Sequence, residues 1–228
     1  MDVKSFGCSF IFGSELADDG RTGPWATASE LTWPAHLARK LGRGYECHAR
    51  AGSGNLQISE QVMLQAADSD NTDLFVIGWT WIDRFDYYDS ADTRRRRPWH
   101  TIMPIDNDAV AKTYYRHLHS EYRDKLTNLI YIKTATAELQ RRQIPFVMTY
   151  MDHLLFDQTW HSNPAVQELQ AQIRPHMTLF DGQNFLDWSR ANKYTVSAKW
   201  HPLEQAHESA GDYMFQHLFS LKGNNNGN

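Results

Sequence analysis

The stretch Asp-Leu-Phe-Val-Ile-Gly-Trp at residues 73–79 is apolar at nearly every position and is only as long as a strand. A strand with one solvated face alternates apolar and polar residues, so an unbroken run belongs in the middle of a sheet covered on both faces. A second run of this kind, Ile-Pro-Phe-Val-Met-Thr-Tyr-Met-Asp, begins at residue 144. Shorter runs at Val-Lys-Ser-Phe-Gly-Cys-Ser-Phe, Gly-Tyr-Glu-Cys-His-Ala and Met-Thr-Leu-Phe-Asp read as further strands. Helical spacing lies between them. Trp33, Leu37 and Leu41 fall on one stripe, with Thr32 as N-cap, Pro34 in the first turn and Gly42 as the stop. Ile58, Val62 and Leu64 or Gln65 make a second stripe. A long helix is expected from Ala109 to Arg142, a short one over Pro164–Ile173 and a last one over Pro202–Leu221. Strands alternating with helices predict a parallel sheet with helices on both faces. In such folds ligands bind at the C-terminal strand ends. That puts the loops Gly-Cys-Ser-Phe-Ile-Phe-Gly, Ala-Gly-Ser-Gly-Asn and Gly-Trp-Thr-Trp-Ile-Asp-Arg-Phe-Asp on one rim.

The chain's 228 residues suit one domain over 1–222, followed by a polar tail at 223–228 expected to be disordered. An excursion rich in Asp, Tyr, Arg and Pro at about 83–112 interrupts the rhythm. A net charge of -4 gives no reason to expect nucleic acid as a partner. No apolar run reaches the roughly 20 residues of a membrane span, and the opening Met-Asp-Val-Lys-Ser-Phe lacks the pattern of a secretory signal, so the expectation is a cytoplasmic protein. Cys8 and Cys47 are no disulfide framework and read as two buried free thiols. No metal-ligand spacing and no phosphate-binding loop is present, so neither a metal nor a cofactor is expected.

Ser9 lies in the turn at the end of the first strand, in Gly7-Cys8-Ser9-Phe10-Ile11-Phe12-Gly13. A serine on such a turn presents its hydroxyl to the rim beside main-chain N–H groups able to hold an oxyanion, although turn serines are common. Gly52, in Ala51-Gly52-Ser53-Gly54-Asn55, lets the backbone approach a reacting centre. Near the C-terminus stands Trp200-His201-Pro202-Leu203-Glu204-Gln205-Ala206-His207. A serine needs a base to become nucleophilic at neutral pH, and His201, just before a helix, is placed to serve. His207 lies on that helix and reads as packing.

Taken together, the early Gly-x-Ser, the glycine loop after strand two, the apolar strand ending in glycine and the late His-Pro resemble the SGNH/GDSL hydrolases, over almost the whole chain. The resemblance implies a flavodoxin-like three-layer α/β/α sandwich with a five-stranded parallel sheet. It implies an ester hydrolase acting on a small acyl ester or an acylated glycan, with Ser9 and His201 catalytic. Ser9, Gly52 and Thr80 would form the oxyanion hole. Two positions depart from the family's pattern. Thr80 replaces its oxyanion asparagine, and Ala198 stands where an aspartate three residues before the histidine orients the imidazole. Asp187 and Asp152 are candidates to supply the missing carboxylate. These departures also admit a protein of this fold that binds a glycan or a partner protein without turnover.

Aromatic residues crowd the third block: Trp79, Trp81, Phe85, Tyr87, Tyr88 and Trp99, with Asp83, Arg84 and Asp86 among them. Trp79, Trp81 and Asn55 are candidates for substrate contact, against the alternative that the tryptophans plug the core. The run Arg94-Arg95-Arg96-Arg97 reads as solvated surface. His117 and His119, two apart, do not share a helix face.

Overall fold

In a computed structural model of the protein, which describes residues 1–19, 27–91 and 98–224, the alternation is realised. Strands β1 (Asp2–Gly7), β2 (Gly44–Cys47), β3 (Leu74–Trp79) and β6 (Phe146–Tyr150) form one parallel sheet in the order β2-β1-β3-β6. The fifth expected strand is reduced to one parallel bridge between Met148 and Met177 beyond β6. A separate two-stranded antiparallel sheet joins β4 (Phe85–Tyr88) to β5 (Trp99–Ile102). The region expected as an irregular excursion is therefore partly a hairpin. The four arginines at 94–97 lie outside the described residues.

Side chains of a strand point alternately to opposite faces, and here each face finds its own helical layer. From β3, Phe75, Ile77 and Trp79 join Met148 and Tyr150 of β6 in one core. That core is closed by α3 (Asn55–Asp68), α5 (Glu121–Arg141) and α6 (Pro164–Ile173). Leu74 and Val76 point the other way, with Val3 and Val147, onto α2 (Trp33–Leu41), α7 (Phe185–Ala191) and α8 (Glu204–Asn224). The three layers follow directly from this division of an unbroken apolar run. On α3 the buried stripe is Ile58, Val62 and Ala66, so the period runs past Leu64, which is exposed.

The long helix expected from Ala109 is two: α4 (Ala109–His117) and α5. Asp108 caps α4 through Val110 and Ala111 N–H, and Ser120 accepts from Arg123 N–H to start α5. Thr32 does not cap α2 with its side chain; its hydroxyl pairs with the Tyr45 hydroxyl at 3.1 Å. His207 takes the role instead, Nδ1 accepting from Trp33 N–H at 3.0 Å. Gly42 ends α2 in the left-handed conformation, as expected. Both cysteines are free, Cys8 buried behind the first turn and Cys47 half-buried on β2. α8 continues to Asn224, and residues 225–228 lie outside the described part. Among the described residues no helix is long and apolar enough to cross a membrane.

Candidate active site

Gly7 and Gly78 are register partners on β1 and β3. Two residues beyond them stand Ser9 and Thr80, so the first and third blocks end side by side on the rim. On the other side of β1, Arg50 N–H donates to the Gly7 carbonyl at 3.0 Å, which brings the Ala51–Asn55 loop to the same edge. The two glycines are required by packing. A Cβ on Gly7 would lie 2.5 Å, and one on Gly78 2.7 Å, from Ile11 Cγ1. Ile11 belongs to the one-turn helix α1 (Ser9–Phe12), which can sit on the sheet only because both strands are bare there. Ser9 is the first residue of that helix, where N–H groups have no intrahelical acceptor.

His201 comes from a tight turn before α8. Ser197 N–H donates to the His201 carbonyl at 2.8 Å, Trp200 N–H to the Ser197 carbonyl at 3.0 Å, and Val196 bridges Pro202. His201 Nε2 lies 2.9 Å from Ser9 Oγ. His201 Nδ1 lies 2.7 Å from Oε2 of Glu15. A carboxylate only accepts, so Nδ1 carries the proton and Nε2 is free to accept from the serine hydroxyl. The two residues that the sequence singles out are thus joined across 192 positions.

The third member is one that sequence reasoning misses. Neither Asp187 nor Asp152 reaches His201. Asp187 Oδ2 pairs with His153 Nε2 at 3.0 Å, and Asp152 accepts from Leu154 and Ile82 N–H. The carboxylate comes from Glu15, six residues after the nucleophile. Gly13 ends α1 in the left-handed conformation, and Glu15 itself has φ of 70°, so the chain reverses at once and returns its side chain to the histidine. Glu15 Oε2 also accepts from the Ser197 hydroxyl at 2.6 Å. That hydroxyl oxygen accepts from His201 N–H at 3.1 Å and Lys199 N–H at 3.2 Å. Ser197 thereby braces the acid and the turn that carries the base. The hydrogen bonds from Ser197 and His201 hold the Glu15 carboxyl below its ordinary range, so it stays ionised. Ala198, where the family has its aspartate, is exposed.

In the loop after β2, Gly52 has φ of 83° with open space where a Cβ would be. Glycine suits that left-handed backbone conformation. Thr80 corrects an expectation. It has no exposed surface and its hydroxyl has no hydrogen-bond partner. As folded, the hydroxyl is enclosed and turned away from the surface. Asn55 is corrected as well. Its side chain is buried, taking Thr80 N–H on Oδ1 at 2.8 Å and donating to the Thr80 carbonyl at 3.1 Å and Asn128 Oδ1 at 2.7 Å. It clamps the third block. Trp79 is the core plug of the alternative reading, fully buried with its indole N–H on Met148 Sδ at 3.4 Å.

Trp81, beyond the end of β3, packs against the other core. Half-buried, it packs on Phe10, with Arg84 over its ring at 5.0 Å, and Phe10 in turn meets the His201 ring edge-on at 5.1 Å. His207, in the first turn of α8, is fully buried and hydrogen-bonds Trp33 N–H and the Pro202 backbone. Burial pushes its imidazole down to about 3, so it is neutral and pins the residue after His201. Ser9 is only 9% exposed. A cavity of about 680 Å³ lies beside Phe85, Val110 and Tyr114, and one of about 160 Å³ lies beside Gly7, Arg50, Ser53 and Gln57; the lining of neither includes Ser9 or His201.

No family model matches the sequence, and no curated protein does. Solved structures do share the fold. A G-D-S-L family lipolytic protein from Desulfitobacterium hafniense is 14% identical, with 94% of this chain and 98% of that one aligned at a TM-score of 0.51. A psychrotrophic esterase from a Pseudoalteromonas species is 9% identical, with 97% and 98% aligned at 0.53. A family two carbohydrate esterase from Clostridium thermocellum, solved with cellohexaose, is 10% identical, with 97% of this chain covering 64% of that one at 0.51. The chain has the α/β SGNH/GDSL hydrolase fold.

Proposed function

We propose that the protein is a serine-dependent ester hydrolase. The observation that carries this reading is the relay Ser9 Oγ–His201 Nε2 at 2.9 Å and His201 Nδ1–Glu15 Oε2 at 2.7 Å, on the rim where this fold presents its nucleophile. Ser9 Oγ attacks the ester carbonyl carbon as His201 Nε2 takes its proton. The oxyanion is held by the N–H groups of Ser9 and Gly52. Collapse of the adduct breaks the bond to the alcohol oxygen, which receives the proton from His201. Water then attacks the acyl-enzyme with His201 again as base, releasing the acid and restoring Ser9. Glu15 fixes the tautomer and balances the imidazolium charge.

The near-closed setting of Ser9 favours a small acyl group such as acetyl. An acylated glycan as the natural ester is supported by the fold shared with a carbohydrate esterase and by Trp81 at the rim. The reading as a binder without turnover rests on Thr80 and Ala198. Glu15 answers the second of these, because a carboxylate does reach the imidazole.

The test is hydrolysis of short acyl esters of p-nitrophenol and of acetylated sugars. The parent should turn over acetyl esters, and Ser9→Ala and His201→Ala should each remove activity. A parent inactive on both classes would refute the proposal.

A further inference from the structure

Among the described residues, six non-glycine positions have positive φ, and one of them is the bulkiest side chain in the alphabet at 72°: Trp200. A residue of that size in this region is an outlier that folds tolerate when something else depends on it. Glycine would fill the position without strain. The indole is not used as core either, since Trp200 is 60% exposed. Its ring is nevertheless held. The Arg190 guanidinium from α7 lies 4.2 Å from the ring centroid, and Asp187 stands 3.9 Å from that guanidinium. A strained, exposed and braced tryptophan thus stands immediately before the catalytic base, in the same tight turn.

We infer that Trp200, backed by Arg190, is a stacking platform for a pyranose ring in the alcohol portion of the substrate. The inference rests on the ester-hydrolase reading and deepens it. The side of the site follows from the chemistry. His201 must hand its proton to the departing alcohol oxygen, so the alcohol lies on the histidine's side and the acyl group on the side of Gly52. A ring joined to that oxygen lies near the turn that carries His201. An exposed indole face takes the C–H face of a sugar. Arg190 backs one face of the ring, and the exposed Lys199 next to it in the chain offers a charged donor for sugar hydroxyls, which a purely apolar alcohol would leave unused.

The test compares parent, Trp200→Gly and Trp200→Phe on 6-O-acetylglucopyranoside and ethyl acetate, which share an acyl group and differ in the ring. Trp200→Gly should raise KM for the sugar ester about tenfold and leave kcat/KM for ethyl acetate within about twofold, while Trp200→Phe should restore most of the sugar KM. Melting temperature should stay level or rise in Trp200→Gly, because the strained backbone is relieved. A merely structural tryptophan would lower it. A second arm needs no turnover: methyl gluco-, galacto- and xylopyranoside are titrated into Ser9→Ala protein, with and without Trp200→Gly, and followed by main-chain N–H resonances of the turn that carries His201, which both proteins retain. Shifts that vanish with Trp200→Gly support the platform even if no ester is cleaved. Unchanged KM ratios, or no shift with any of the three glycosides, overturn it, and activity on ethyl acetate alone then leaves the hydrolase reading standing.

Discussion

On the proposed reading, removing the Glu15 carboxylate should slow ester hydrolysis without unfolding the protein. In the relay its Oε2 accepts from His201 Nδ1 at 2.7 Å, and it matters most when the imidazole becomes positive in the transition state. A hydrogen bond to a charged group is worth about 1.5–3 kcal/mol, a factor of roughly 10 to 150 in rate. The Glu15 side chain is 30% exposed, so water screens part of the interaction and the lower half of that range is expected. Glu15→Gly is the cleanest substitution, because φ of 70° suits glycine and the turn keeps its shape. The assay is steady-state hydrolysis of an acetyl ester with circular dichroism and melting temperature alongside. We expect kcat down about 10- to 40-fold, KM little changed, and native-like unfolding. Full activity in Glu15→Gly, with Ser9→Ala and His201→Ala both dead, would refute the assignment of Glu15.

Asp187→Asn should leave kcat within about twofold, because Asp187 serves His153 and Arg190 and does not reach His201; a loss matching that of Glu15→Gly would reverse the two roles. Thr80→Val replaces a buried hydroxyl that has no partner by a methyl of similar shape. Stability should move by less than about 1 kcal/mol and kcat by less than about threefold, whereas a fall of roughly a hundredfold would make that hydroxyl an oxyanion donor. Gly78→Ala puts a methyl 2.7 Å from Ile11 Cγ1 and should cost about 1–3 kcal/mol in urea unfolding, part of it recovered by adding Ile11→Ala; additive costs would mean that the two side chains do not meet. His207 has its imidazole pushed down to about 3 in the fold and near 6.5 unfolded. Between those values the unfolded chain binds the extra proton, so stability is full above pH 6.5 and falls as pH drops toward 3. The slope is about 1.4 kcal/mol per pH unit at most, and it should be shallower in His207→Gln; parallel curves for parent and variant would count against the buried neutral histidine.

Local pattern determines most of what can be read along the chain. The apolar run at 73–79 and the spacing of Trp33, Leu37 and Leu41 carry the layers, and the small-residue turns after β1 and β2 end side by side on one rim. Glu15 is invisible in sequence because nothing in Gly-Ser-Glu-Leu signals that a left-handed residue will throw its side chain back onto a histidine 186 positions away. The only hint is the vacant acid position at Ala198. Trp79 and Trp81 cannot be told apart by composition or by strand parity; the end of β3 separates them, since Trp79 follows Phe75 and Ile77 into the core while Trp81 lies beyond the strand. The helix break at Leu118–Ser120 is legible in principle, because Ser120 followed by Glu121 and Asp124 is an N-terminal signal inside a long periodic stretch. Asn55 and Thr80 mislead for one reason. A polar side chain in a functional block reads as facing the ligand, whereas the clamp from Asn55 to both polar groups of the Thr80 backbone serves the loop itself.

The serine relay can be probed without knowing the natural ester, by covalent labelling with an alkyl fluorophosphonate read by intact mass and peptide mapping, because the label requires an activated serine. The Ser9–His201–Glu15 arrangement predicts one adduct per chain, on Ser9, absent from Ser9→Ala and strongly slowed in His201→Ala. A folded parent that remains unlabelled, or an adduct mapped to another residue, would contradict it.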